Sequence, residues 1–483
     1  MASPLPRTRK LPIASWRPDP RSSKPLYRQV YERFREAIHA GVLRPEARLP
    51  SARGLAGQLG TARGTVDLAY SLLAGEGYVV TRGAAGTYVT PGLTASLQRS
   101  LKRSRDASTG DLAEPRPPGI TIAPLQMGVP ALDAFPHALW CRLAAKRART
   151  LTPDTMLSVY TTGYAPLREA IATYLAVSRG IRCHAGQIII AAGFQGALSL
   201  LTRAFLQPGD EVWFEEPGYF FARDALKAAG AKVIPTPVDS EGLDVAEAIS
   251  RAPHARFAYL TPAHQAPLGM SLTLPRRLAL LSWAARSKAW IIEDDYDSEF
   301  RYGSRPLPAL KSLDEAGRVL YVGTFSKVLF PGLRLGYLLV PEAEVDRVKQ
   351  ACYWLSLGTP MFMQTVVADF MSEGHFARHI KRMRALYEER RASLAKALAQ
   401  VFADRLTLEL QAGGMHLIGR LPALEDDRDL AVRAKSHGLA PGTLSPWYAN
   451  PARREHGLLL SFTNITSANA LEVATRLRRA MDL

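Results

Sequence analysis

"GTFSKVLFPGLRLGY", Gly323 to Tyr337, sets Lys327 in a turn of small residues, then a Pro-Gly step and Arg334, then a return to apolar strand. A surface lysine needs no such setting. Moving outward, the flanking sequence alternates strand-like and helix-like runs. "QIIIAAG" leads to "FQGALSLLTRAF", "EVWFEEPGY" to "FFARDALKAAG", and "KVIPTPVD" to "VAEAISRA". "ARFAYLTPAH" precedes "RRLALLSWAARS", and "WIIEDDYD" and "RVLYVGTFSK" follow. Such alternation predicts an α/β body with a large, mostly parallel sheet and helices on both faces. The last hundred or so residues mix helices with a few strands and read as a smaller lobe.

Five elements of this body carry candidate chemistry. A lysine amine such as that of Lys327 forms Schiff bases with carbonyl compounds, and pyridoxal phosphate is held on proteins in this way. The planar guanidinium of Arg334 suits a phosphate. "AAGFQGAL", Ala191 to Leu198, is a glycine turn between strand and helix, where backbone N–H groups form an anion site. Its spacing is not that of a dinucleotide-binding turn. "IIEDDYD", Ile291 to Asp297, ends an apolar strand in acids. A carboxylate beside a pyridine nitrogen keeps it protonated; the competing readings are a metal cluster and a solvated strand end. The absence of a histidine pattern nearby and the tyrosine inside the run disfavour a metal. In "EEPGYFF", Tyr219 follows a sharp turn, as a core aromatic or as a ring that stacks on a flat ligand.

Together these elements, in this order and spacing, resemble pyridoxal phosphate proteins of the fold type I aminotransferase class over residues 120–483. "SVYTTGYAPLREAIATYL" matches the segment leading into the large domain. The resemblance implies that Lys327 is the Schiff-base lysine and that Arg334, Thr324, Ser326 and the amides of Gly193, Phe194 and Gln195 bind the phosphate. It implies that Asp294 pairs with the pyridine nitrogen, that Tyr296 reaches the phenolic oxygen, that Tyr219 stacks on the ring, and that Tyr160 is a cross-subunit phosphate ligand. Three departures stand out. The usual Asn-Pro-Thr-Gly reads "AHQAPLG", with Ala266 at the asparagine position, so His264 or Gln265 is expected to contact the ring oxygen instead. The loop after Tyr160 is about two residues short. The carboxylate-binding arginine of a C-terminal strand is replaced by Leu459 in "GLLLSF", with Arg453 and Arg454 as nearby substitutes.

The N-terminal part has a different character. The chain has 483 residues, with 47% apolar and 22% charged residues, an ordinary globular composition. Its net charge is +17, and residues 1–92 hold 14 Lys and Arg against 6 Asp and Glu. A basic block on a milder body points to nucleic acid or to a solvated basic face. The three cysteines are far apart, which argues against a disulfide framework and for a reducing compartment. The first residues lack the apolar core of a secretory signal, and no run approaches the roughly 18 residues of a membrane span. Localisation is therefore expected to be cytoplasmic.

Residues 93–119 contain no aromatic residue, are rich in Ser, Arg, Pro and Gly, and read as a flexible linker. It divides a module at 20–92 from the body at 120–483. In the module, Leu26, Val30, Phe34 and Ile38 share one helix face, with Gly41 as a stop. Ser51 is a candidate N-cap and Gly60 a stop for a second helix, which contains Gly54 and Gly57. Thr61 is read as capping a third helix that buries Val66, Ala69, Leu72 and Leu73. "GYVVTRGAAGTYVT" reads as a hairpin. Three helices and a hairpin make a winged helix-turn-helix, which places the start of the third helix in the major groove of double-stranded DNA. There Arg63 and Thr65 point outward. Arg48, Ser51 and Arg53 are expected at phosphates, Thr61 with them, and Arg82 and Gly86 in the wing.

"LPSARGLAGQLGTARGTVDLAYSLLAGEGYVVTRGAAGTYV" resembles the GntR-type winged helix over some forty residues. Joined to the aminotransferase-like body, and with "EDDYDSEFRY" and "GTFSKVLFPGLRLGY", the whole resembles the MocR subfamily of bacterial regulators. That implies a homodimeric transcriptional regulator whose body senses an amino compound, or pyridoxal phosphate itself, through an aldimine at Lys327. It also implies that the winged helix of one chain lies against the partner's body. The alternative is an aminotransferase with an appended DNA-binding module.

Overall fold

The computed structural model describes residues 16–91, 122–157, 161–302, 308–355, 359–420 and 426–481. They form two compact units divided between Ile120 and Thr121. The segment read as a linker, and Tyr160, lie outside the described residues.

In the first unit, α1 (Leu26–His39) buries Val30, Tyr31, Phe34 and Ile38. Leu26, expected on that stripe, is only half-buried. Tyr31 takes its place one turn on, and its hydroxyl donates to Glu76 at 2.5 Å. The second helix, α2 (Ala52–Leu59), begins at Ser51, whose hydroxyl accepts the N–H of Gly54 at 3.1 Å, and ends on Gly60 in the left-handed conformation. The third, α3 (Arg63–Gly75), buries Val66, Ala69, Tyr70 and Leu73, with Leu72 half-buried.

The expected cap on α3 is corrected by the structure. Ala62, not Thr61, stands at the N-cap, and no side chain caps the helix. Thr61 closes the preceding turn instead, its N–H bonded to the carbonyl of Ala56 at 3.1 Å, and its buried hydroxyl has no hydrogen-bond partner. A residue committed to ending one helix is one position too early to cap the next.

The wing is β1 (Val79–Thr81) paired antiparallel with β2 (Thr87–Val89). The chain before α2 adds to its edge: the N–H groups of Glu46 and Leu49 bond the carbonyls of Val89 and Thr87 at 2.9 and 2.8 Å. Wing and helices thus share one core around Phe34, Leu55, Val66 and Val89.

The second unit is built on an eight-stranded sheet. Its strands are β3 (Ile188–Ala191), β4 (Glu211–Glu216), β5 (Lys232–Asp239), β6 (Gly242–Leu243), β7 (Phe257–Leu260), β8 (Trp290–Asp295), β9 (Val319–Thr324) and β10 (Gly336–Leu339). Their spatial order is β3-β10-β9-β8-β7-β4-β5-β6. The run β9-β8-β7-β4-β5 is parallel. β10 runs antiparallel to both of its neighbours, and β6 to β5. The stretch around Lys327 is therefore a reversal: the chain leaves β9, turns through Lys327, and comes back beside β9 as β10.

Buried side chains fill both faces. Ile189, Leu198, Phe214 and Tyr259 belong to one cluster, and Trp213, Leu260, Leu280 and Ile291 to another. Near-continuous apolar strands of this kind are what a sheet covered on both sides requires.

The smaller lobe is a four-stranded antiparallel sheet in the order β11-β12-β14-β13. These are β11 (Thr407–Glu409), β12 (His416–Arg420), β13 (Gly442–Thr443) and β14 (Leu458–Ser461). The long helix His375–Phe402 packs on both lobes. Its early residues Phe376 and Ile380 join the large-sheet core, and its later Leu394 and Leu398 join that of the smaller lobe.

Candidate functional site

In open α/β sheets, ligands bind beyond the carboxyl ends of the strands. Here the ends of β4, β7, β8 and β9 deliver Tyr219, His264, Asp294 and Lys327 in turn. Lys327 is the centre. Its Nζ donates to the carbonyl of Gly128 at 3.1 Å. Burial lowers its pKa, while Asp297 and Asp294 push the other way. Burial thus favours the neutral amine over the charged one, and the neutral form is the one that attacks an aldehyde.

The acids of "IIEDDYD" are separated by the period of two of β8. Glu293 accepts the N–H groups of Leu310 and Lys311 at 2.8 and 2.7 Å. Asp295 is ion-paired with buried Arg179 at 2.7 Å and accepts the Tyr321 hydroxyl at 2.5 Å. Of the three acids within β8, Asp294 alone belongs to the lysine side, where Asp297 from beyond the strand joins it. Burial raises Asp294 to about 7, against a hydrogen bond from the Tyr259 hydroxyl at 2.5 Å and the charge of Lys327. Neither a metal cluster nor a solvated strand end describes these residues, since all four acids, Asp297 with its His264 contact included, are buried and individually engaged.

Beside them, Nδ1 of His264 is 2.9 Å from the Tyr296 hydroxyl and 3.1 Å from Asp297 Oδ1. In the tautomer with hydrogen on Nδ1, His264 donates to both, and the hydroxyl hydrogen of Tyr296 is left to point elsewhere. Gln265 is not available as the alternative. Its amide donates to the carbonyls of Pro217 and Ala266, and its oxygen accepts the N–H of Leu268.

The turn after β3 supplies the remaining elements. Gly193 opens the helix Gly193–Phe205 at φ +71°. A Cβ on Gly336 would fall 3.0 Å from the carbonyl carbon of Gly193 and 2.9 Å from the carbonyl oxygen of Gly323. The helix N-terminus, the end of β9 and the start of β10 therefore meet at glycines. Arg334 lies at this junction in the left-handed region (φ +50°), its side chain exposed. Thr324 accepts the N–H of Ser326 at 3.2 Å. Phe194 meets the half-buried ring of Tyr219 edge-on at 5.7 Å, and Gln195 follows on the same helix. Arg453 and Arg454 are exposed on a turn, whereas Leu459 is buried in β14.

Local patterns did not reveal Tyr259, Gly128 or the Asp297–His264 contact. Tyr259 lies in an apolar strand with nothing nearby to mark it, and Gly128 is 199 positions from the lysine it bonds.

In the first unit, Arg48, Ser51, Arg53, Arg63 and Arg82 are exposed, and Thr65 and Gly86 half-buried. Arg63 makes an exposed contact with Asp67, at 3.3 Å. The guanidinium of Arg48 lies against Gly86, where a Cβ would come within 3.1 Å of Nε. That of Arg82 covers the Tyr88 ring at 5.1 Å. One arginine thus joins the wing to the approach of α2, and another lies along the wing.

Two family models match the chain: bacterial regulatory proteins of the gntR family over residues 26–89, and aminotransferase class I and II over residues 126–444. The probable rhizopine catabolism regulatory protein MocR of Rhizobium meliloti is 37% identical over 467 residues, 94% of each chain. The chain is a MocR-type regulator of the GntR family. The pyridoxine biosynthesis transcriptional regulator PdxR of Corynebacterium glutamicum is 33% identical to this MocR-type chain, again over 94% of each. Among solved structures, the alpha-aminoadipate aminotransferase LysN of Thermus thermophilus, complexed with a phosphopyridoxyl-leucine, is 30% identical. It aligns with a TM-score of 0.68 over 74% of this chain and 92% of its own. The kynurenine aminotransferase of Pyrococcus horikoshii gives 0.67 at 28% identity, over 80% and 94%.

The cofactor of this MocR-type body is pyridoxal phosphate. The residues fit it on their own terms: an amine whose pKa burial lowers, a buried acid for a pyridine nitrogen, and a glycine-opened helix N-terminus for a phosphate.

Proposed function

We propose that the body reads a small amino compound, or pyridoxal phosphate itself, at Lys327 and sets the grip of the winged helix on operator DNA. The observation that carries this reading is the half-buried Lys327, whose pKa burial lowers, in the same chain as a winged helix with an exposed basic face. Bound pyridoxal phosphate supplies an aldehyde and an electron-withdrawing ring. Lys327 would hold the aldehyde carbon. Asp294, fixed by Tyr259, would hold the proton of the pyridine nitrogen. Tyr296, oriented by His264, would donate to the phenolic oxygen, so His264 acts through Tyr296. Tyr219 would cover the ring face. Gly193, Phe194 and Gln195 would present amides to the phosphate, with Thr324, Ser326, Arg334 and Tyr160 as further ligands.

On the DNA side, Arg63 and Thr65 would face base edges. Arg48, Ser51 and Arg53 would hold phosphates, with Thr61 setting the turn between α2 and α3 at the DNA face, and Arg82 and Gly86 would lie along the minor groove. A homodimer is supported by apolar side chains exposed on the second unit: Met156 and Leu157, 70% and 80% exposed, and Tyr353 and Trp354, 68% and 67%. No described helix is long and apolar enough to cross a membrane. The three cysteines are free. A cytoplasmic site of action agrees with both. We divide the chain into a DNA-binding module at 20–92, a linker at 93–119 and a sensing and dimerising body at 120–483.

An effector must favour one of two body states to change DNA binding. The test is operator affinity of the cofactor-loaded protein with and without candidate amines, and of the cofactor-free protein with pyridoxal phosphate alone. Affinity that responds to neither overturns the sensor reading. Because Lys327 and Asp294 suit turnover as well, amino-group transfer to a panel of keto acids is the second assay. Fast turnover would favour the alternative, an aminotransferase with an appended DNA-binding module.

A further inference from the structure

The surroundings of Lys327 are divided by polarity. One side holds Asp294, Tyr296, Asp297 and His264. The other begins at Gly128, where a Cβ would come 2.5 Å from the lysine amine. Its neighbour Met127 packs, with Leu268 and Trp447, on buried Ile418, Leu444, Tyr448 and Leu459. Met127 and Leu459 flank one glycine: a Cβ on Gly442 would fall 2.7 Å from Met127 and 3.1 Å from Leu459. Trp447 closes the arc, its ring 5.7 Å from Tyr219 and its carbonyl bonded to the N–H of Gly218 at 3.1 Å. Phe220 stands against Trp447 at 5.5 Å, and half-exposed Phe221 lies 4.4 Å beyond Phe220.

Among the described residues this wall carries no charge, and Arg223 and His416 beside it are engaged. Arg223 donates to the carbonyls of Trp447 and Pro446, both at 3.3 Å. His416 is pushed down to about 4 by burial and bonds the carbonyl of Pro267 at 2.9 Å. A carboxylate set against these apolar residues loses water without gaining a charged partner from them, whereas an apolar group gains by burial.

We propose that the ligand read at Lys327 is a primary amine with an aromatic or branched apolar substituent and no carboxylate beside its amino group. The inference rests on the cofactor reading above. The incoming nitrogen takes the place of the lysine nitrogen on the cofactor's aldehyde carbon. One carbon–nitrogen double bond forms as the other breaks, and the two amine hydrogens end on Lys327 as a free amine.

The test uses the full-length, cofactor-loaded protein, titrated with 2-phenylethylamine and 3-methylbutylamine and, separately, with L-phenylalanine and L-leucine. The cofactor's visible band and the Tm are followed together. The expected result is half-saturation by each amine at least 10-fold below that of its amino acid. Leu459→Arg should reverse the order, and Trp447→Ala should weaken the amines alone. Parent protein that prefers the amino acids, or treats the pairs alike, overturns the inference while leaving the cofactor reading intact. Parent protein with no cofactor band overturns both.

Discussion

The winged helix and the lysine pocket put charge to work in opposite ways. In the winged helix the working groups are exposed arginines, and most of their structural support comes from within about forty residues of sequence. In the body Asp294 and His264 are buried and Lys327 and Tyr219 half-buried, and they come from the ends of four strands, with Gly128 reaching Lys327 from far off in sequence. Exposed guanidiniums stay charged and are worth having because phosphates and guanine edges attract them. Lys327 and Asp294 are worth having because burial moves both toward neutrality. Solvation thus separates a surface that binds by charge from a pocket that works by proton position.

The sharpest way to break this comparison is Lys327→Ala. The variant should lose the visible cofactor band entirely while circular dichroism stays that of the parent. A band that survives would put the attachment elsewhere. Next in size is Phe34→Ala, which empties the fully buried centre of the winged-helix core. It should cost that unit about 3–5 kcal/mol and abolish operator binding, with the cofactor band retained. Loss of the band as well would show that the two regions do not stand apart. Arg63→Ala should weaken specific DNA binding by roughly 1–3 kcal/mol and relax base preference at one position. Unchanged operator affinity in a mobility-shift titration would remove Arg63 from the readout.

The last effect concerns pH. Asp294 has a folded pKa of about 7, above its ordinary 3.8. The folded, cofactor-free protein therefore binds the extra proton between those values, and stability falls as pH rises through them. Asp294→Asn removes that dependence. Its stability relative to the parent should rise by roughly 3–4 kcal/mol from pH 4 to pH 7.5, read by thermal denaturation of the cofactor-free proteins at several pH values. A constant difference would mean that Asp294 is ionised throughout.

Much of this was legible in the chain. Alternating strand and helix runs gave the large sheet, because a strand buried on both faces must be apolar throughout. Ser51 and Gly60 bounded α2, because capping is a local affair of one turn. Local reasoning went astray at Thr61, where two helix ends compete for one residue, and it gave no sign of the His264–Tyr296 contact, which joins two loops.

What the sequence determined by itself was the kind of chemistry. A lysine between two strands, a strand ending in acids, and a basic helical module are composition and order, which survive without coordinates. The tertiary structure decided which acid matters and what surrounds the lysine. Glu293, Asp294 and Asp295 are equivalent as letters; strand pleating and pairing send them to a backbone turn, a tyrosine and an arginine. Met127, Trp447 and Leu459 are unrelated letters until β12, β13 and β14 pair and bring them into one apolar wall. Burial and partner are properties of contacts, and contacts between distant residues exist only once the chain has folded.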